Sequence, residues 1–262
     1  MKNLIDELLE LSDPEVDNRI IKSFKLKETL CPSIFDLQNE KYVIKKEIRD
    51  RLIDVSDQFI EFLGVDFFIH DVILTGSLAN YNWSEYSDVD LHILVDMNEL
   101  NDDGSKNSIA LQNIVKEFFD AKKNVWNEKH DIKIKGFEVE LYVQDVHEEH
   151  VSSGVYSVLN NEWVVEPSMK KETIDTQKIL DKGEYFAKQI DNLISDYKEN
   201  KDISKGETAL RDKLKKFRKS GLESGGEYSY ENLTFKLLRR NGYIKKLMDL
   251  RNDMIDKKLS VS

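Results

Sequence analysis

Four residues in the second quarter of the chain carry its densest chemical information. Gly76-Ser77 closes a short apolar run, and after a ten-residue spacer Asp88 and Asp90 open another. Aspartates at i and i+2 of a strand point to one face, with Cα atoms roughly 6 to 7 Å apart. That spacing suits divalent cations, because two Mg²⁺ ions bridged by a carboxylate and by phosphates sit about 3.5 to 4 Å apart. Glycine permits a sharp turn and lets backbone approach a ligand closely. A helical turn begun at Leu78 to Tyr81 would aim the Ser77 N–H and hydroxyl at a phosphate. The pattern points to metal-assisted chemistry on a phosphate.

Magnesium is held by carboxylates together with phosphates, so an Asp-x-Asp pair is incomplete without a third acid. Val139-Glu140-Leu141 places a carboxylate inside a strand-like run. Glu138 shares its face by period-two counting, and Glu140 is favoured because it sits at the middle of the run. His92 lies on the Asp88/Asp90 face and either orients a carboxylate or is structural. Asn80, Asn82 and Trp83 occupy the spacer, where Trp83 either stacks on a base or anchors the loop. His130, His147 and His150 show no metal-ligand spacing and are expected on the surface.

These residues need a frame. The spacing predicts short helices over 2–11 and 14–25, with Ser12 or Asp13 as N-cap and Pro14 in the first turn. Residues 30–36 read as an irregular connection, and 41–63 as a long helix stopped by Gly64. Val72 to Leu74 and Leu91 to Val95 read as buried strands, and 108–126 as a helix. Residues 132–136 and 137–143 alternate as half-exposed strands do, and 154–166 reads as a hairpin around Asn160-Asn161. Beyond Pro167 the pattern turns wholly helical, over 170–197, 205–220 and 230–256. The fold class expected is α+β, with a mixed-sheet domain over 65–167. Residues 1–64 are expected as a helical segment packed on it, and 168–262 as an all-helical domain.

Charge is divided along the chain. The 262 residues carry a net −11, yet residues 201–262 carry +7 and the first 200 carry −18. An acidic chain is a poor nonspecific coat for duplex nucleic acid. A basic segment facing an acidic one fits a cleft with carboxylates on one wall and phosphate-binding cations on the other, or plain attraction between domains. The single cysteine, Cys31, excludes an internal disulfide and a cysteine-built zinc site. No apolar run approaches the roughly 18 residues of a membrane span. The N-terminus lacks a signal-peptide core, so a cytoplasmic setting without membrane partners is expected.

Gly76-Ser77, the spacer, Asp88-x-Asp90 and the later Glu140 together resemble the motif of the polymerase-β-type nucleotidyltransferase superfamily, over roughly residues 65 to 145. Stretches such as Gly-Ser-Leu-Ala-Asn-Tyr-Asn-Trp-Ser also resemble nucleotidyltransferase-like proteins of large tailed phages, which implies a host-cytoplasm setting. The departure from the superfamily's pattern is a glutamate in third place. The resemblance implies a nucleotidyltransferase domain at 65–167, with Asp88, Asp90 and Glu140 as catalytic metal ligands for Mg²⁺ or Mn²⁺. It further implies that Gly76 and Ser77 hold the triphosphate, joined by Lys236 or Arg239 from the helical part. The reaction implied moves an NMP from an NTP to a hydroxyl on a small molecule, a nucleotide or an RNA 3′ end. The alternative is a catalytically weak nucleotide-binding regulator or antitoxin-like protein.

Overall fold

The computed structural model describes residues 14–65, 67–98, 109–148, 152–169 and 173–260. The expected helix at 2–11, the N-cap at Ser12 or Asp13 of the helix expected at 14–25, and His150 lie outside those residues. The chain divides into two compact units: residues 25–170, and the residues up to Phe24 joined by those from Lys171 onward.

The first unit is built on a six-stranded mixed sheet. Its strands are β3 (Ile69–Thr75), β4 (Val89–Val95), β5 (Lys133–Ile134), β6 (Phe137–Asp145), β7 (Val155–Ser157) and β8 (Glu162–Val165), in the order β5-β6-β4-β3-β7-β8. β4 and β6 run parallel; the other neighbours are antiparallel. Alternation sets the two faces. Val72, Leu74, Val89, Leu91, Ile93, Val95, Val139 and Leu141 point into one core with Leu52, Phe59 and Leu63 of α2 (Lys46–Leu63) and Phe119 and Trp126 of α3 (Ile109–Lys129). The even-numbered residues of β4 and β6 line the opposite face, and that face carries the polar groups.

Residues 41–44 depart from expectation. The predicted helix at 41–63 begins only at Lys46, because Lys41–Ile44 is β2, paired antiparallel with β1 (Phe35–Gln38). Asn39 (φ 49°) and Glu40 (φ 66°) both adopt left-handed backbone, which is the twist a two-residue hairpin turn requires. The ring of Phe35 stacks on Trp163, and Trp163 Nε1 donates to the Tyr42 carbonyl at 2.7 Å, so this hairpin is tied to β8.

The second unit is helical: α1 (Pro14–Ser23), α4 (Thr176–Lys198), α5 (Ser204–Gly225), α6 (Tyr230–Arg240) and α7 (Tyr243–Leu259). The expected single helix at 230–256 is two, because Gly242 (φ 78°) breaks the run at a left-handed position. Two caps fix helix starts: Asp175 accepts from the Lys178 N–H at α4, and Ser229 from the Asn232 N–H at α6. Among the described residues of 1–64, α1 groups with the helical unit and the residues from Lys25 onward with the sheet unit. α1 packs on α6, where Asn241 Nδ2 hydrogen-bonds Asp17, Arg240 donates to Ser23 Oγ at 2.7 Å and its guanidinium lies over Phe24. Arg240 and Asn241 at the end of α6 hold α1 in a way its amphipathic pattern alone does not specify. Among the described residues no helix is long and apolar enough to cross a membrane.

Candidate active site

The antiparallel turn-back from β3 to β4 brings the two motif halves together. The C-terminal end of β3 lies beside the start of β4, so Thr75 pairs with Asp90 and Gly76 follows immediately. On the other side of β4, Asp90 pairs with Glu140 of β6. Thr75, Asp90 and Glu140 thus form one row across three strands, with Asp88 two residues before Asp90 on the same face. All three carboxylates are half-buried. Period-two counting leaves Glu138 and Glu140 on one face, and the two differ in their neighbours. Glu138 is exposed, pairs with Lys133 of β5 and forms an ion pair with it at 3.6 Å.

Gly76 is fitted to Asp90. Its φ is +71°, and a Cβ there would lie 1.8 Å from Asp90 Oδ2. The carboxylate therefore occupies the space a side chain would need, and no other residue fits without displacing it. After Gly76 the chain forms hydrogen-bonded turns, not the expected helical turn, with the Asn80 N–H donating to the Ser77 carbonyl at 3.1 Å. Three serines tie this loop. Ser77 Oγ donates to Ser87 Oγ at 2.7 Å, and Ser87 Oγ accepts from the Ser84 N–H at 2.9 Å. Asn80 Nδ2 also donates to Ser153 Oγ. Trp83 proves to be an anchor: its Nε1 donates to the Thr29 carbonyl at 2.8 Å and Lys27 lies over its ring.

Two residues down each strand a second row supports the first. Tyr142 donates its hydroxyl to Glu140 Oε2. Burial pushes that phenol well above its ordinary range, followed by the hydrogen bond to Glu140 and the negative charge of Glu140, Asp90 and Asp88, so it remains a donor. His92 stacks on the Tyr142 ring with centroids 4.8 Å apart, and its Nδ1 meets Gln144 Oε1 at 2.7 Å. Lys123 of α3 lies over the same ring at 4.4 Å. His92 thus lies in the row behind the carboxylates. Tyr142 and Gln144 were missed in the sequence, although the Glu-x-Tyr-x-Gln alternation of β6 matches Asp-x-His across the parallel pair.

The same strands end in another group. Asp96, Asp145 and His147 bring ligand atoms within 4.8 Å of one another. His147, expected as a plain surface residue, is exposed but lies 3.3 Å from Asp96 Oδ2, and its N–H donates to Asp145 Oδ1 at 2.9 Å. The Asn98 amide holds the Asp96 carboxyl below the usual carboxylate range, with further help from the Asn98 and His147 side chains.

Hard carboxylate oxygens around Asp90, beside a glycine turn, are the donor set that Mg²⁺ or Mn²⁺ takes with phosphate. Residues 56–157 match the nucleotidyltransferase domain. The matched span runs from within α2 to the end of β7 and contains Gly76, Ser77, Asp88, Asp90 and Glu140. It supports the polymerase-β-type resemblance and nucleotidyl transfer as the reaction class. Comparisons with curated proteins and with solved structures return no match.

In the helical unit, Lys236 is half-buried and Arg239 exposed, both on α6. Burial pushes the Lys236 ammonium below the usual lysine range. Glu227 opposes that shift, and Arg240, Arg239 and Arg218 add to it.

Proposed function

We propose that this protein transfers an NMP from an NTP to a hydroxyl acceptor with release of pyrophosphate. The observation that carries the reading is the row Asp90–Glu140, with Asp88 on the same face, directly beside the Gly76 turn. Asp88, Asp90 and Glu140 would hold divalent metal, Mg²⁺ or Mn²⁺. When bound, the metal neutralises charge on the triphosphate and makes the acceptor hydroxyl easier to deprotonate. The chain's own residues set up the exchange. The backbone at Gly76 and the Ser77 N–H face the triphosphate, and the Ser77–Ser87 contact fixes that turn. Tyr142 holds one oxygen of Glu140 through its hydroxyl. The acceptor oxygen forms a bond to the α-phosphorus, the bond from that phosphorus to the bridging oxygen breaks, and pyrophosphate leaves with its electron pair. The acceptor proton passes to solvent.

The test is pyrophosphate release from each NTP in the presence of Mg²⁺ or Mn²⁺, with small hydroxyl compounds and an RNA pool offered as acceptors. Asp88→Asn and Asp90→Asn should each abolish release while the melting temperature stays within a few degrees. Unchanged turnover in either variant rejects the assignment. NTP binding by the native protein without any release selects the regulator reading instead. Lys236 and Arg239 enter the same proposal as cations for the triphosphate. Lys236→Met or Arg239→Ala that leaves the KM for NTP unchanged removes that residue from it.

A further inference from the structure

The helical unit holds a groove of which the transfer reading uses one residue, Arg239. It has a volume of about 690 Å³ and lies among α5, α6 and α7. Its floor is apolar: Leu214 and Leu247 are buried, Phe235 and Ile244 are half-buried, and Met248 is 61% exposed. Its rim is cationic, with Arg211, Lys215, Arg218, Arg239, Lys245 and Arg251 against the single acid Asp249.

The cations divide into two kinds. Arg211 is paired with Glu207 at 3.3 Å and Lys245 with Asp249. Among the described residues, Lys215, Arg218, Arg239 and Arg251 have no carboxylate partner, and they come from all three helices. A solvated helix face interleaves signs; here four cations without carboxylate partners gather much of the +7 surplus of residues 201–262 around one apolar floor. Arg218 is also drawn onto the floor. Its guanidinium lies 4.7 Å over the Phe235 ring, and Arg239 is close enough to act on its charge, so the groove concentrates positive charge next to a half-buried ring.

The cation positions fix the chemistry of the occupant. Arg211, Lys215 and Arg218 follow one another at single-turn intervals along α5, about 5 to 6 Å apart, while Arg239 and Arg251 stand on the other two helices. A single anionic headgroup would use only one end of that set. A chain of regularly spaced negative charges with flat apolar groups between them uses the whole of it, with phosphates on the rim and bases on Phe235, Met248 and the Arg218 plane. We infer that this groove binds single-stranded nucleic acid. The inference goes beyond the transfer reading and holds whichever hydroxyl accepts the NMP.

The test is fluorescence anisotropy of a labelled single-stranded 12-mer with the full-length protein, in EDTA and without NTP, so that its outcome is independent of transfer activity. Binding is expected at 50 mM salt, with a slope of log K against log salt near −3, as about four neutralised phosphates give on a single strand. Lys215→Glu combined with Arg251→Glu changes two exposed residues and should weaken binding at least ten-fold. Met248→Asp, also exposed, should weaken it about five-fold, the lower range for losing one stacked base. Circular dichroism checks that both variants keep their helices. No binding by the native protein, an unchanged Kd in the double variant, or equal affinity for a duplex of the same length overturns the inference. So does equal affinity for inorganic polyphosphate, which has the charges without the bases.

Discussion

β4 and β6 present three metal-capable groups at each end; among the described residues only the far set brings one ligand atom from each within 4.8 Å of the others, and the two sets differ in what surrounds them. At the start of the strands Asp88, Asp90 and Glu140 face a turn whose glycine gives its side-chain space to Asp90. At the finish Asp96, Asp145 and His147 are within reach of one another, but much of their hydrogen-bonding capacity is taken up locally. Asp96 accepts from the Asn98 N–H and side chain, and Asp145 from the His147 N–H. Ligand-type side chains are therefore a weak criterion taken alone. The first cluster is distinguished by its neighbours: a close-packed glycine turn, a serine-tied loop and a tyrosine donor.

The comparison can be broken most directly at Gly76. Gly76→Ala places a methyl where Asp90 Oδ2 lies and strains a left-handed residue, so pyrophosphate release should fall at least about 10²-fold. A variant that retains half the native rate would show that the glycine–Asp90 fit does not separate the two ends. Next in size is Tyr142→Phe, which removes the donor to Glu140 while keeping the ring between His92 and Lys123. Mn²⁺ affinity, read by electron paramagnetic resonance, should drop about ten-fold, as for other residues that orient a metal ligand. Unaltered affinity would mean that the contact is only structural. At the far end, Asp96→Asn and His147→Ala should each change turnover by less than two-fold. A loss as large as that of Tyr142→Phe would make the two clusters functional equals.

The smallest effect is on acid stability. The Asp96 carboxyl lies below its ordinary range in the folded protein, mainly through the Asn98 amide. Its contribution is present above the unfolded value near pH 4 and is lost as the pH falls through the lower folded value. Asp96→Asn should therefore flatten the acid limb of a melting-temperature profile and leave the neutral plateau lower. An identical acid limb would show that the second cluster gives the fold no linkage to pH.

The sequence made the first cluster readable because its elements are local or periodic. Gly76-Ser77 directly follows β3 and Asp88-x-Asp90 leads into β4, the next strand, and alternation alone puts both aspartates on one face. That Glu140 lies opposite Asp90 depends on the register of β4 on β6, which no local pattern encodes. The β1–β2 hairpin stayed hidden because its turn holds Glu40 in a left-handed conformation that glutamate seldom adopts. The break at Gly242 was visible as Asn241-Gly242, but the apolar spacing on either side masked it. The partner of α1 was out of reach, since an amphipathic pattern shows which face is buried and not what covers it.

That last feature has a bearing on how the protein is made. The sheet unit is one continuous stretch, residues 25–170, and all its strands have been synthesised before the first helix of the C-terminal group is translated. α1 is synthesised earlier still, yet the residues that hold it, Arg240 and Asn241, come more than 200 residues later. Domains fold as units in order of synthesis. On the ribosome, then, the nucleotidyltransferase fold can close while α1 waits for α6, and the helical unit is the last part of the molecule to be completed.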